Sequence, residues 1–135
     1  MQLSITTDYA LRILLCLRKK ENRKTAYEIA EDMAIPERYV LKVLNKLKQK
    51  DIIVSFSGNR GGYELVKELS EISLLNILET TENTININRC LEEDEYCSRN
   101  AVLECPVRKF YCNLQREFLG KARDISVQDM IDYSD

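Results

Sequence analysis

The chain has 135 residues, with 20 Lys and Arg against 22 Asp and Glu, five Cys, and neither His nor Trp. This length suits one domain with a modest core, and the hydrophobic fraction of 44% and charged fraction of 31% are typical of a globular protein rather than a disordered or fibrous one. The absence of His excludes Ser–His and Cys–His nucleophiles, two-His iron sites and Cys₂His₂ zinc fingers.

Two further features bear on where the protein acts. No apolar run approaches the roughly 18 residues of a membrane span, and the N-terminus lacks the basic and apolar regions of a secretory signal. We therefore expect a cytoplasmic protein with no membrane partner. Thiols stay reduced in the cytoplasm, so several Cys in such a protein favour metal binding or redox sensing over disulfides.

The net charge of −2 hides an uneven distribution along the chain. Residues 36–67 contain seven basic residues against three acidic ones, and residues 18–24 contain five basic residues against one Glu. Residues 79–99, by contrast, contain six acidic residues against two Arg. A charge run alone is more often a solvated helix surface, but a basic N-terminal half also fits a surface for nucleic acid.

The first elements in chain order predict three helices. Apolar spacing predicts a helix over residues 5–20, with Asp8 in its first turn. Thr25 and Glu28 form a capping-box pattern that opens a short second helix. Pro36 suits the first position of a third helix. The apolar stripe predicted for this third helix consists of Tyr39, Val40, Val43, Leu44 and Leu47.

A β-hairpin follows these helices. Residues 52–54 are β-branched, residues 57–62 form a Gly-rich turn, and residues 63–66 pair back as a second strand. The paired glycines Gly61 and Gly62 permit the turn. Helix, short helix, turn, helix and hairpin in this order predict a winged helix-turn-helix domain over residues 1–67.

The remaining residues, 68–135, predict a second segment with a different role. A helix over residues 72–80 leads to an irregular, Cys-bearing loop over residues 90–105, and Pro106 starts a long helix. The apolar stripe of that helix is Val107, Phe110, Tyr111, Leu114, Phe118, Ala122 and Ile125. We expect it to pair with a second copy, because symmetric dimers read two DNA half-sites. The predicted fold is therefore mainly α with a small β-hairpin: a winged helix-turn-helix plus a long C-terminal dimerisation helix.

Several motifs arriving in order resemble a known family. Residues 1–12 have a short apolar lead and a Tyr-Ala-Leu-Arg block, residues 35–40 resemble a recognition-helix start, and residues 55–65 resemble a wing. With the spaced Cys residues, the chain resembles the winged-helix transcription regulators that include IscR, NsrR, RirA and CymR. It departs from them at Ser57, where many relatives have a wing Arg, and at Arg108, where some have a His ligand. A Cys₃His two-iron site is therefore disfavoured.

The helix-turn-helix geometry assigns the DNA contacts. The N-terminal residues of the recognition helix lie nearest the base edges, so Arg38 suits a guanine edge and Glu37 suits cytosine N4. Tyr39 is either a DNA contact or a core residue. Lys residues further along the helix suit phosphates, and an Arg at the wing tip suits a narrow minor groove. The predicted contacts with double-stranded promoter DNA are Glu37, Arg38, Tyr39, Lys42, Lys46 and Arg60.

Three cysteines suit a metal cofactor. Thiolates hold iron–sulfur clusters, and a loop lets Cys90, Cys97 and Cys105 converge. Cys105 precedes Pro106, and a helix N-terminus favours thiolate. A structural zinc site would need a closer pair. From the residues alone, a cluster, a redox thiol pair and bystander cysteines all remain open. The resemblance implies an iron–sulfur cluster held by the three, with four irons favoured over two.

The fourth ligand has two candidates. The resemblance implies that Asp8 is supplied by the partner subunit, although Asp8 also favours the N-terminal end of its own helix dipole. Cys112 lies seven residues after Cys105 on the same helix, hence about 10 Å along the axis, which is too far for both to grip one compact cluster. We expect Cys112 to be an inert or oxidisable thiol and Cys16 to be a core residue.

These residues predict a homodimeric DNA-binding transcription regulator that senses redox, nitric oxide or iron–sulfur status through a Cys-ligated cluster. One alternative keeps the DNA binding without a cluster: the thiols sense oxidants, or a partner protein controls the dimer, as CymR-like members imply. A third alternative is a cysteine-based redox enzyme. The basic segments and the wing argue against it, as does the absence of an acid–base constellation or Gly-rich phosphate loop in the sequence.

Overall fold

The computed structural model describes residues 1–19 and 22–134. Helices form most of its regular structure, and one antiparallel hairpin supplies the strands, so the predicted fold class is confirmed. The elements in chain order are α1 (Ile5–Cys16), α2 (Ala26–Met33), α3 (Glu37–Gln49), β1 (Ile53–Phe56), β2 (Gly62–Leu65), α4 (Leu74–Thr81), α5 (Pro106–Asp124) and α6 (Val127–Ile131).

The first helix ends earlier than the apolar spacing predicts. α1 stops at Cys16, and the Asn22 side-chain amide donates to the Cys16 carbonyl oxygen at 3.3 Å. A polar side chain thus satisfies a carbonyl group that another helical turn would have bonded. The predicted end of this helix at Lys20 lies outside the described residues.

The turn between α2 and α3 sets up the helix-turn-helix. The Thr25 side chain accepts a hydrogen bond from the Glu28 backbone N–H, as the capping pattern predicts. α2 ends at Met33, and the left-handed φ of 53° at its C-cap residue, Ala34, reverses the chain. Pro36 is the N-cap of α3 rather than its first helical residue. Because its ring fixes φ, Pro36 still directs the chain into the helix from one position earlier.

The core lies among α1, α2, α3 and the strands, and continues into the second half of the chain. α3 buries the predicted stripe except Tyr39, which is 37% exposed; the prediction of Tyr39 as a core residue is wrong. Its ring meets the Tyr9 ring at the core edge, with centroids 6.0 Å apart. The largest fully buried side chains are Ile13, Leu14, Leu17, Ile29, Val40, Val43, Leu44, Leu47, Ile53, Ile72, Ile77 and Leu78.

The C-terminal half packs back onto this core through α4 and α6. α4 starts at a Ser73 capping box, and its end lies one residue beyond the predicted end. α6 was not predicted from the sequence, although a capping box formed by Ser126 and Asp129 marks its start. The Val127 N–H donates to the Ile72 carbonyl oxygen at 2.8 Å, which ties α6 to the start of α4. Among the described residues, no helix is both long and apolar enough to cross a membrane.

The hairpin strands lie within one or two residues of their predicted positions, with Ile53 opposite Leu65 and Phe56 opposite Gly62. Gly62 belongs to β2 rather than to the turn. Its φ is +142°, and an added Cβ would lie 2.7 Å from the Lys24 carbonyl oxygen. The glycine is therefore required by the close approach of the segment that joins α1 to α2.

Replacing Gly62 with Ala is expected to lower the free energy of unfolding by about 2 kcal/mol, because the side chain meets backbone in a conformation that L residues rarely adopt. At about 3–5 °C per kcal/mol for a chain of this size, thermal unfolding followed by circular dichroism should show a clear drop in Tm. The matched control is Gly120→Ala in α5, where an added Cβ meets nothing within 4 Å. Equal melting of the Gly62 variant and the wild type would contradict this account.

Candidate DNA-binding surface and cysteine pocket

The solvent-facing side of α3 carries most of the predicted DNA contacts. Glu37, Arg38 and Lys42 are exposed, and Lys46 is half-buried one turn further along. The opposite side of the helix is buried, since its apolar residues pack against α1 and α2. α3 therefore presents a polar and mainly basic face, with its N-terminal turn uncovered.

Aromatic rings hold the N-terminal end of this face. The Arg38 guanidinium lies 4.9 Å from the Tyr39 ring centroid, and the Arg12 guanidinium lies 5.6 Å from that of Tyr9. Because the two Tyr rings contact each other, the four side chains form a continuous ladder from α1 to α3. Tyr39 is thus a surface residue that orients Arg38.

Three exposed residues of α2 and α3 were not among the contacts predicted from the sequence. Leu41 and Asn45 lie on the exposed side of α3, and Tyr27 is 61% exposed in the first turn of α2. Charge and apolar periodicity, from which the other contacts were predicted, do not single out a neutral residue on a polar face. Helical spacing from Arg38 is the signal that would have found Leu41 and Asn45. Asn pairs with adenine edges, and apolar groups contact the thymine methyl.

The turn of the hairpin carries Arg60 at its exposed tip. The Gly61 N–H donates to the Gly58 carbonyl oxygen at 2.9 Å, which closes the turn. The Arg60 carbonyl oxygen accepts a hydrogen bond from Arg23 Nη1 at 2.9 Å, so the backbone is anchored while the Arg60 side chain faces solvent. The wing therefore projects a cation away from the core.

The structure brings Cys90, Cys97 and Cys105 to one pocket of about 280 Å³, between the loop that precedes α5 and the first turns of α5 itself. Cys112 is half-buried further along α5 and does not line the pocket. Cys16 is 94% buried in α1, as expected of a core residue. The remaining pocket residues are Asn88, Arg89, Tyr96, Ser98, Arg99, Val102, Val107, Arg108 and Tyr111.

Hydrogen-bond donors and a helix end surround the pocket thiols. Asn88 Nδ2 lies 3.2 Å from Cys90 Sγ. Backbone hydrogen bonds from Ala101 and Arg99 lower the pKa of the Cys97 thiol below its ordinary value. Cys105 is the N-cap of α5, where the helix dipole favours an anion. The lowered pKa of Cys97 favours its thiolate, which is the form that binds metals and reacts with oxidants.

The pocket fits an iron–sulfur cluster by its donor set. Within residues 1–19 and 22–134, no three Cys, Asp or Glu side chains are close enough together to bind a single metal ion. A cluster differs from a single ion because each thiolate bonds a different iron atom. Three thiols around one pocket, with N–H donors near the sulfurs of Cys90 and Cys97, are suited to that mode of binding.

Two of the four acidic residues in the run 92–95 form ion pairs with arginines. A two-pronged ion pair with Arg89 lowers the pKa of Asp94 to about 2. Arg108 Nε donates to the Cys90 carbonyl oxygen at 3.1 Å, and its Nη2 lies 3.3 Å from Glu95 Oε1. Arg108, which stands where some relatives have a His ligand, thus joins the Cys90 turn to α5.

Asp8 lies away from the cysteine pocket of its own chain. It is exposed on α1 and forms an ion pair with Arg12 at 2.7 Å. It borders a groove between α1 and α6 that is lined mainly by apolar side chains, including Leu11 and Met130. Ligation by Asp8 therefore requires the predicted second subunit.

Three helices, of which the second and third form a helix-turn-helix, are followed by a two-stranded wing. This arrangement defines a winged-helix DNA-binding protein. The family comparison makes this class specific, because the Rrf2 family, described as "Iron-dependent Transcriptional regulator", matches residues 3–133. The chain belongs to the Rrf2 family. The resemblance to the regulators that include IscR, NsrR and CymR is confirmed.

Individual relatives agree with this assignment. The chain is 33% identical over 95 residues to the HTH-type transcriptional regulator NsrR of Oceanobacillus iheyensis. The aligned residues cover 69% of this chain and 65% of that protein. Its fold matches CymR (YrzC), "the Global Cysteine Regulator of B. subtilis", with a TM-score of 0.75, 20% identity and coverage of 100% and 99%. It also matches T. potens IscR, with a TM-score of 0.71, 18% identity and coverage of 98% and 87%.

The function class follows from the family. The chain is a DNA-binding transcription regulator and not an enzyme, because the family and its named members are regulators. The alternative of a cysteine-based redox enzyme is therefore wrong.

Proposed function

We propose that this regulator acts in the cytoplasm as a homodimer on promoter DNA and senses redox, nitric oxide or iron–sulfur status through a cluster held by Cys90, Cys97 and Cys105. The observation that carries the proposal is the convergence of these three thiols on one pocket, with N–H donors near the sulfurs of Cys90 and Cys97. The NsrR and IscR names among its relatives support the same cofactor class. Four irons are favoured over two.

An exposed apolar stripe on α5 supports the dimer. Val107, Phe110, Leu114 and Phe118 are all exposed at helical spacing on one side of α5, with Phe110 at 62%. Contiguous apolar patches of this kind mark interaction sites. A self-complementary helix face is the usual basis of a two-fold symmetric dimer. We therefore assign the stripe to the subunit interface.

The residues just before the Cys-bearing loop are attached to the same helix. The Ile87 N–H donates to Gln115 Oε1 at 2.9 Å, and Gln115 Nε2 donates to Asn86 Oδ1 at 2.6 Å. When bound, the cluster supplies a group that oxidants and nitric oxide alter. A change in how the thiols are held is then passed to α5, and through the dimer to the spacing of the two recognition helices.

A cluster-free thiol regulator is the second candidate, and one observation favours it. The lowered pKa of Cys97 makes that thiol reactive without any metal. The fold match to CymR fits this alternative as well as the first. Oxidation of the thiolate, rather than loss of a cluster, would then alter the pocket beside α5.

Anaerobic incubation of the full chain with ferrous iron and sulfide is expected to give a coloured protein that contains about four irons per subunit. Absorption, Mössbauer spectra, and iron and sulfide analysis measure this outcome. Cys97→Ala should stay colourless, because it removes one of the three thiols. A colourless, iron-free wild type would contradict the cluster and favour the thiol regulator.

Two further variants assign the fourth ligand in the same assay. Asp8→Ala is expected to change the Mössbauer parameters or lower the iron content, because the partner's carboxylate is lost. Cys112→Ser is expected to keep the wild-type spectrum, because Cys112 does not line the pocket. The reverse pattern would replace Asp8 with Cys112 as the ligand.

A further inference from the structure

The segment that joins α1 to α2 forms an isolated antiparallel bridge with the wing, between Lys24 and Tyr63. The Lys24 N–H donates to the Tyr63 carbonyl oxygen at 3.2 Å, and the Tyr63 N–H donates back to the Lys24 carbonyl oxygen at 2.8 Å. Gly62 makes this approach feasible, since a side chain there would collide with the Lys24 backbone. The hairpin is therefore fastened along one edge to the helix-turn-helix.

The Arg23 side chain extends this attachment across the whole wing. Its guanidinium carbon lies 3.5 Å from the centroid of the Phe56 ring at the end of β1. Its Nε donates to Glu64 Oε1 on β2 at 3.0 Å, and its Nη1 donates to the Arg60 carbonyl oxygen in the turn at 2.9 Å. One planar group thus contacts both strands and the turn between them.

The core holds the base of the wing, where Ile53 is fully buried and Leu65 packs against the core cluster. The turn end has fewer contacts, because each strand has only four residues and Val54 and Phe56 are exposed. A short two-stranded hairpin end that lies outside the core is marginally stable in water. A mobile turn would also have to be ordered when DNA binds, which lowers affinity.

We propose that Arg23 is a positioning residue for DNA recognition: its guanidinium fixes the wing turn so that the Arg60 side chain is presented to the minor groove in register with α3. This inference rests on the proposed contact between Arg60 and DNA. The role requires an Arg, because a Lys ammonium is a point charge that does not stack on Phe56 while donating along two fixed directions. Arg23 therefore acts on DNA through Arg60.

A double-mutant cycle on the full chain tests the role. The probe is a short duplex that the wild-type protein selects from a randomised pool, and the measurement is its dissociation constant. Arg60→Ala is expected to weaken binding about 10-fold or more, and Arg23→Ala by a similar factor. The dissociation constant of the double variant should lie within about 2-fold of that of the single variant that binds more weakly. Once the Arg60 side chain is gone, the change at Arg23 removes no further DNA contact. Arg123→Ala, an exposed Arg at the end of α5, controls for the loss of one charge.

Arg23→Lys separates positioning from direct phosphate contact. It keeps the charge and loses the planar fork, so it is expected to bind as weakly as Arg23→Ala. Wild-type affinity in this variant, or losses that multiply in the double variant, would overturn the proposal. Hydroxyl-radical footprinting should show weaker minor-groove protection beside the half-sites in both Arg23 variants, with methylation protection in the major groove retained.

Glu64→Ala keeps the test decisive if an Arg23 variant does not fold, as judged by circular dichroism. Loss of a carboxylate near DNA would by itself tighten binding, whereas loss of the Arg23 acceptor is expected to weaken it several-fold. Tighter binding overturns the proposal. If Arg60→Ala leaves binding unchanged, the predicted contact between Arg60 and DNA is wrong, although the proposed regulator function is not. If Arg60→Ala weakens binding and Arg23→Ala does not, only the positioning role of Arg23 fails.

Discussion

Replacing Phe110 with Glu is expected to convert the protein from a dimer to a monomer at micromolar concentration. Phe110 is the most exposed of the apolar side chains on the α5 stripe, so its removal leaves the single chain's core intact. In the proposed interface, two-fold symmetry places the new carboxylate there twice. Each unpaired charge buried against apolar surface costs several kcal/mol. Together these costs raise the dimer dissociation constant by several orders of magnitude.

Loss of the dimer is expected to remove specific DNA binding as well. A monomer reads one half-site, whereas a dimer reads two with a single loss of translational freedom. Sedimentation equilibrium measures the oligomeric state, and circular dichroism confirms that the variant is folded. Arg116→Gln makes the same change of one charge on the opposite side of α5 and should remain dimeric. A dimeric Phe110→Glu protein would place the interface elsewhere.

Local signals in the sequence predicted most of the fold. Apolar spacing in α3 identified Val40, Val43 and Leu44 as buried, because one face of an amphipathic helix must meet the core whatever the partner. Thr25 and Pro36 marked helix starts within one residue, since caps act over a single turn. These features depend on residues that are close in the sequence, so they can be predicted from it.

Contacts between distant segments could not be predicted in this way. Arg23 looked like one member of a basic run, and only the folded chain brings it to Phe56 and Glu64. Gly62 looked like a turn residue, because the neighbouring Lys24 backbone is 38 positions away in sequence. Periodicity assigned Tyr39 to the core because it shows which side of a helix is apolar. It does not show how far around the helix the buried face extends, and Tyr39 lies at the border of that face.

The candidate site divides in the same manner. The residue types and spacing of the cysteines suggested thiolate chemistry, and the structure supplies the common pocket. The donors that lower the pKa of Cys97 are backbone N–H groups of Arg99 and Ala101, which depend on the local turn rather than on residue identity. The position of Asp8 relative to the pocket of a second copy depends on the dimer.

Arg38→Ala is expected to cause the largest loss of sequence-specific binding among the α3 variants. Arg38 is exposed at the N-terminal turn of the recognition helix and is oriented by the Tyr39 ring. A contact from Arg to a guanine edge contributes about 1–3 kcal/mol, and a dimer loses it in both half-sites. The expected total is about 2–6 kcal/mol on a selected duplex, whereas binding to random DNA should change little.

Lys42→Ala is the matched variant because the same helix face loses the same charge. Lys42 lies one turn further from the helix N-terminus, where we expect the DNA backbone phosphates to be the nearer group. Its loss should weaken selected and random duplexes alike and reduce the slope of log K against log salt by about one for each subunit. Arg38→Ala should instead weaken the selected duplex preferentially. If Arg38→Ala weakens both duplexes equally, Arg38 contacts phosphate, and the specificity of α3 falls to the neutral residues Leu41 and Asn45 on the same exposed side.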